Sequence, residues 1–157
     1  MIRLTETAAT TLPRETAFEY IGDFANVDQW DPGVVSATKS GSGEAAVGAS
    51  YDLVLSFGGQ QLEMRYTITE LVPGHRVALE GTGSRVRAFD VIEFNEYDDG
   101  TRITYTADIG LTGVARLFEP FMKGRLAKVG EDAGNAIGGH VRTPCKLPFE
   151  EKAAGRR

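Results

Sequence analysis

One long apolar-faced segment, Gly113 to Val141, fills most of the last third of this chain, and nearly everything from residue 34 to 111 alternates like strand. A single helix that follows a run of antiparallel strands can hide its apolar stripe in one place, the concave face of the sheet those strands form. A sheet curled round one helix leaves a pocket. The stripe consists of Val114, Phe118, Phe121, Met122, Leu126, Val129, Ala133, Ala136 and Ile137 at three-four spacing. Roughly 25 helical residues at 1.5 Å each span about 38 Å, enough to cross a small sheet. Pro120 falls inside the pattern, so the helix either begins near it or kinks there.

Upstream, Ile2 to Thr11 alternates as a strand, and Pro13 fits the first position of a helix, with Glu15 in its first turn. Ala17, Phe18 and Ile21 share a helical face. Gly22 can end that helix before a second short one from Phe24 to Trp30, and Asp31-Pro32-Gly33 then turns the chain out of helix. Val34 to Ser40 reads as a short strand. From Ala49 the period is two: Tyr51, Leu53, Leu55 and Phe57 share a face, Gly58-Gly59 turns, and Leu62, Met64, Tyr66 and Ile68 continue it. Asp52, Ser56, Glu63, Arg65, Thr67 and Thr69 take the other face, so one side of the sheet is dry and one wet. Arg76 to Gly81 follows the Pro73-Gly74 turn, and Val86 to Tyr97 joins Thr101 to Leu111 through Asp98-Asp99-Gly100, giving seven strands in all.

The 157 residues carry no linker-like composition, which predicts one domain over 1–145 and a tail over 146–157. A net charge of −5 lacks the basic excess of a general nucleic-acid or anionic-membrane surface. The first ten residues carry charge and threonine rather than a signal-peptide stretch, and no run reaches membrane-spanning length, so the expectation is a cytoplasmic protein without an integral membrane segment. Cys145 is alone and reads as structural; no metal or other cofactor is expected. His75 and His140 lack partners at useful spacing and read as surface groups. Gly41 to Ala46 has the G-x-G-x-x-A form of a dinucleotide fingerprint, but a strand rather than a helix follows, which makes it a hairpin loop. P-loop, H-E-x-x-H and G-x-S-x-G motifs are missing from the sequence.

Four strings resemble a known family when taken in order. They are Pro13 to Ile21, Asp23 to Pro32, the hairpin Phe94 to Thr106 with its Asp98-Asp99-Gly100-Thr101-Arg102 turn, and the helix start Leu117-Phe118-Glu119-Pro120. Together they resemble the SRPBCC superfamily, also called START-like or Bet v 1-like, in its bacterial polyketide cyclase/dehydrase and lipid-transport branch. The resemblance implies an α+β helix-grip fold: a seven-stranded curved antiparallel sheet around a long C-terminal helix, with two short helices after strand 1 and a cavity between sheet and helix. It does not single out an activity, because the superfamily holds carriers, aromatase/cyclases, receptors and chaperone activators.

Within that frame the candidate ligand-binding residues are Trp30, Tyr51, Leu53, Leu55, Phe57, Met64, Tyr66, Asp90, Phe94, Tyr105, Phe118, Phe121, Met122 and Arg125. The apolar members line a cavity or fill a core, and a buried phenol needs a hydrogen-bonding partner that a ligand can provide. Trp30 either anchors the short helices or forms the rim. Asp90 lies inward if Ile92 and Phe94 do, and a buried carboxylate needs a partner or a raised pKa; the opposite register turns Phe89 and Val91 inward instead. Arg125 sits on the apolar stripe, where it either snorkels to water or meets Asp90. Two functions follow. One is a carrier for a small hydrophobic molecule such as a lipid, isoprenoid or aromatic polyketide-like compound. The other is a polyketide cyclase or dehydratase whose acid/base candidates are Asp90, Tyr66, Tyr105 and Arg125. A third reading is a helper protein that binds a partner through its outer surface. An ionisable group facing the pocket separates the first two.

Overall fold

The computed structural model describes residues 1–112 apart from Pro32, Gly58 and the side chain of Phe57. The expected helix over Gly113 to Val141, with Phe118, Phe121, Met122 and Arg125 on it, lies outside the described residues, as do His140 and Cys145. Seven strands form one antiparallel sheet: β1 (Ile2–Thr10), β2 (Val34–Ser40), β3 (Ser50–Phe57), β4 (Gln60–Val72), β5 (Arg76–Gly83), β6 (Val86–Tyr97) and β7 (Gly100–Leu111). Their spatial order is β1-β7-β6-β5-β4-β3-β2, a meander from β2 to β7 with β1 returned to the far edge. The segment between β1 and β2 therefore crosses the sheet. It carries α1 (Arg14–Ile21), a 3₁₀ turn (Phe24–Asn26) and α2 (Val27–Trp30).

Pro13 is the N-cap of α1 rather than its first helical residue: with ψ near 150° it is still extended, and the helix begins at Arg14. Gly22 ends α1 in a right-handed conformation, and a Cβ there would lie 2.5 Å from the Phe18 carbonyl oxygen. The helix buries Ala17, Tyr20 and Ile21, while Phe18 is half-buried with its ring edge-on to Phe94, centroids 5.3 Å apart. The 3₁₀ turn is held by Asp23, whose carboxylate accepts from the Ala25 N–H at 3.1 Å.

Alternation along the long strands sorts side chains as a one-sided sheet requires. Tyr51, Leu53, Met64, Tyr66, Ile68, Ala88, Asp90, Ile92, Phe94, Ile103 and Ala107 point into the protein and are buried. The outer face carries ion pairs, among them Arg65 with Asp52 at 2.8 Å and Arg3 with Asp108 at 2.7 Å. Such exposed pairs contribute little to stability, so burial on the inner face holds the fold. β-Bulges interrupt the register between Val34 and Ser36 and between Ile68 and Glu70, and a bulge bends the strand that carries it.

Candidate functional site

The inner face of the sheet, the 3₁₀ turn and α2 line a partly open cavity of about 140 Å³. Its wall is mostly aliphatic, with Leu4, Leu53, Leu55, Leu62, Met64 and Ile109 among its members. That volume resembles the roughly 150 Å³ of an engineered apolar cavity that takes up benzene. Among the described lining residues five are polar: Asp31, Ser56, Tyr66, Asp90 and Tyr105.

Asp90 lies in the middle of β6, opposite Leu79 of β5 and Ala107 of β7, and only 2% of its surface is exposed. The register with Ala88, Ile92 and Phe94 inward is the one adopted, and Phe89 is correspondingly 40% exposed on the outer face. The Tyr105 hydroxyl donates to Asp90 Oδ2 at 2.6 Å. Asp90 Oδ1 is buried and has no hydrogen-bond partner among the described residues. Burial pushes the Asp90 carboxyl up from 3.8 to about 7; the Tyr105 hydrogen bond opposes this by favouring the anion, and Asp31 and Asp108 add to the rise. The same burial, with Asp90 nearby, lifts the Tyr66 and Tyr105 phenols well above their ordinary range. Both phenols stay protonated and can donate.

Tyr66 owes its place to a glycine. It faces Gly81 across β4 and β5, and a Cβ on Gly81 would fall 2.6 Å from Tyr66 Cε1 and 2.7 Å from Cζ. The ring therefore lies flat over the β5 backbone, and its far end reaches the cavity wall. Phe24 presses on the same ring, centroids 5.2 Å apart. Asp31 follows α2 directly; its Oδ1 accepts from the Gly33 N–H at 2.8 Å, while burial raises its proton affinity.

Of the residues singled out from sequence, Leu53, Leu55, Met64, Tyr66, Asp90 and Tyr105 share the cavity wall. Trp30, Tyr51 and Phe94 are fully buried and serve as packing beside it. Trp30 stands edge-on to Phe24 and Tyr105, with centroids 6.3 and 6.1 Å apart, so it anchors the short helices rather than forming the rim. Tyr51 is buried against Phe24, and burial together with the Asp23 carboxylate raises its phenol. Phe24, Asp31 and Ala88 line the cavity and were not singled out. Ala88 shares the parity of Asp90, which was a usable signal; Phe24 and Asp31 sit in a turn without a period. His75 is exposed. Among the described residues no group of three or more His, Cys, Asp or Glu can hold a metal ion, and no helix is long and apolar enough to cross a membrane.

This architecture recurs in solved structures. The Zhui aromatase/cyclase from Streptomyces sp. R1128 matches with a TM-score of 0.74 at 13% identity, over 93% of this chain and 96% of that one. A START superfamily protein from Mycobacterium smegmatis matches with a TM-score of 0.71 at 15% identity, over 89% and 97% of the two chains. A conserved protein from Geobacillus kaustophilus matches at 0.63 and 20% identity, over 88% and 93%. At such identities the likeness is one of fold. No curated protein matches the chain in sequence. The family model described as polyketide cyclase/dehydrase and lipid transport matches residues 1–136, nearly the whole chain. The chain belongs to that family.

Proposed function

We propose that this protein binds one small, largely hydrophobic molecule in the cavity between the sheet and the short helices, as a carrier or binding protein. The observation that carries the reading is the aliphatic wall around about 140 Å³ of space. Empty apolar space is costly, and a ligand of matching size relieves that cost. Family membership and the START-like fold support a binding role, and the lipid, isoprenoid or aromatic polyketide-like class is this proposal's own. The test is mass spectrometry of whatever copurifies from native cells, paired with titration of an environment-sensitive apolar dye. A copurifying hydrophobic compound that displaces the dye and raises the melting temperature supports the reading. Failure to bind any apolar probe overturns it.

The Asp90–Tyr105 pair favours a second reading, a cyclase or dehydratase acting on a poly-ketone. A carboxyl with a pKa of about 7 at an apolar wall can act as base and as acid at neutral pH. Asp90 would take a proton from the carbon between two carbonyls, that carbon would add to a distant carbonyl, and the proton would pass to the resulting alkoxide. The cyclisation is balanced without a co-reactant, and Tyr66 can hydrogen-bond a substrate oxygen. A cyclisation assay on poly-ketones with wild type and Asp90→Asn decides it: loss of turnover with retained binding supports catalysis, and no turnover by the wild type leaves the carrier reading alone.

A further inference from the structure

The polar groups of the cavity are uneven in kind. Its described wall contains two carboxyl groups, Asp31 and Asp90, two phenols and the hydroxyl of Ser56, but no lysine, arginine or histidine. Arginines of the strands point the other way, where Arg3, Arg65, Arg76 and Arg87 are engaged in ion pairs on the outer face. Asp90 lines this space, and its Oδ1 is a buried acceptor without a donor among the described residues, whereas a buried polar atom normally has a partner. Tyr105 cannot supply it, because its hydroxyl proton is already given to Oδ2 at 2.6 Å. Leu79 and Ala107, the neighbours of Asp90 across the sheet, have apolar side chains. No described side chain supplies the partner, and when Asp90 is ionised a ligand can supply it by bringing an O–H or N–H. A ligand that brings a carboxylate instead meets two acidic groups in a dry site and no cation on the described wall.

We propose that the cavity selects a compact apolar molecule bearing a single hydrogen-bond donor, a hydroxyl or an amine, which docks on Asp90 Oδ1, and that it rejects the corresponding carboxylate. This rests on the binding reading above and adds a direction to it: the ligand is uncharged or cationic, which excludes free fatty and aromatic acids. The apolar body lies against Leu53, Leu55 and Met64, and the donor end lies at β6 between Tyr66 and Tyr105.

Four single-ring probes that fit the available space separate the two claims: toluene, benzyl alcohol, benzylamine and benzoate, titrated by isothermal calorimetry or amide chemical shifts at pH 8. Toluene reports the cavity alone. Benzyl alcohol or benzylamine is expected to bind about 5-fold or more tighter than toluene, the effect of one hydrogen bond to a charged acceptor, and benzoate at least 10-fold weaker than benzyl alcohol. Asp90→Asn should erase the benzylamine advantage and leave toluene binding intact, which also shows that the variant folds. Toluene binding with benzoate equal to or tighter than benzyl alcohol overturns the selectivity while leaving the binding reading in place. No binding of any probe overturns both.

Discussion

Tyr105 and Asp90 sit on adjacent strands but are not direct cross-strand partners: Asp90 faces Ala107 and Tyr105 faces Ile92, so the 2.6 Å hydrogen bond runs diagonally across two register positions. Only a long side chain can span that diagonal. The bond favours the Asp90 anion against a burial that disfavours it. Tyr105→Phe should accordingly raise the Asp90 pKa above about 7, and cost about 1–3 kcal/mol of stability at pH 8 by leaving both carboxyl oxygens bare. Carboxyl-carbon NMR titration of wild type and variant measures the first effect. A pKa that is unchanged or lower contradicts the assigned role of the bond.

Asp90 also sets a pH dependence whose sign is fixed. Its proton is held more tightly in the folded protein, at about 7, than in the unfolded chain, near 3.8, so folding takes up a proton between those values and stability falls as pH rises through them. The full displacement corresponds to about 4 kcal/mol, absent below the unfolded pKa and complete above the folded one. Asp90→Asn does not ionise. The stability of the variant relative to wild type should therefore increase between about pH 4 and 7 and level off above that range. Denaturant unfolding of both proteins at pH 4.5, 6 and 8 tests this, and a difference independent of pH rules out a buried, proton-holding Asp90.

Gly81 and Tyr66 make a third prediction. An alanine methyl at 81 would overlap the Tyr66 ring at 2.6 Å, and the ring is also backed by Phe24. Gly81→Ala should drive Tyr66 toward the cavity, destabilise the fold by about 1–3 kcal/mol and weaken dye binding. Tyr66→Leu in the same chain should relieve most of that cost. A double-mutant cycle reads the coupling, and additive effects would show that the two positions do not meet.

The sheet was legible because its signals are periodic. Tyr51 to Ile68 alternates without a break, and Asp98-Asp99-Gly100 marks the hairpin between β6 and β7, where Asp98 takes a left-handed φ of 48°. Parity alone left the face of Asp90 open, since Phe89 and Val91 are as apolar as Ile92 and Phe94. The inward set is fixed by tertiary context: Ile92 and Phe94 pack with Phe18 and the core, whereas Phe89 stands opposite the charged Asp108 and Glu80. The cavity's turn-borne residues were not legible. Asp31 looks like an ordinary turn former before proline, and its capping of the Gly33 N–H accounts for it locally without revealing that it lines the cavity. The bulge after Ile68 left no sequence mark that we can identify, and the Gly113 to Val141 stripe falls outside the described residues.

Cavity filling separates stability from binding. The apolar wall borders about 140 Å³ of space that a larger wall residue can occupy. Ala88 is buried on the wall, opposite Gly81 on one side and Ile109 on the other, so a larger side chain there projects into the space beside Asp90. Ala88→Leu adds three carbons to the cavity wall beside the Tyr66 ring that covers Gly81, and should stabilise the fold by about 1–2 kcal/mol, seen as a rise in melting temperature. The same carbons occupy the room a ligand needs, so apolar dye binding should weaken at least 10-fold. Both readouts come from one thermal-shift series with and without dye: the variant starts higher and gains less from ligand. A variant that is destabilised and binds dye as well as wild type would mean that the dye binds elsewhere, and would remove this cavity from consideration as the binding site.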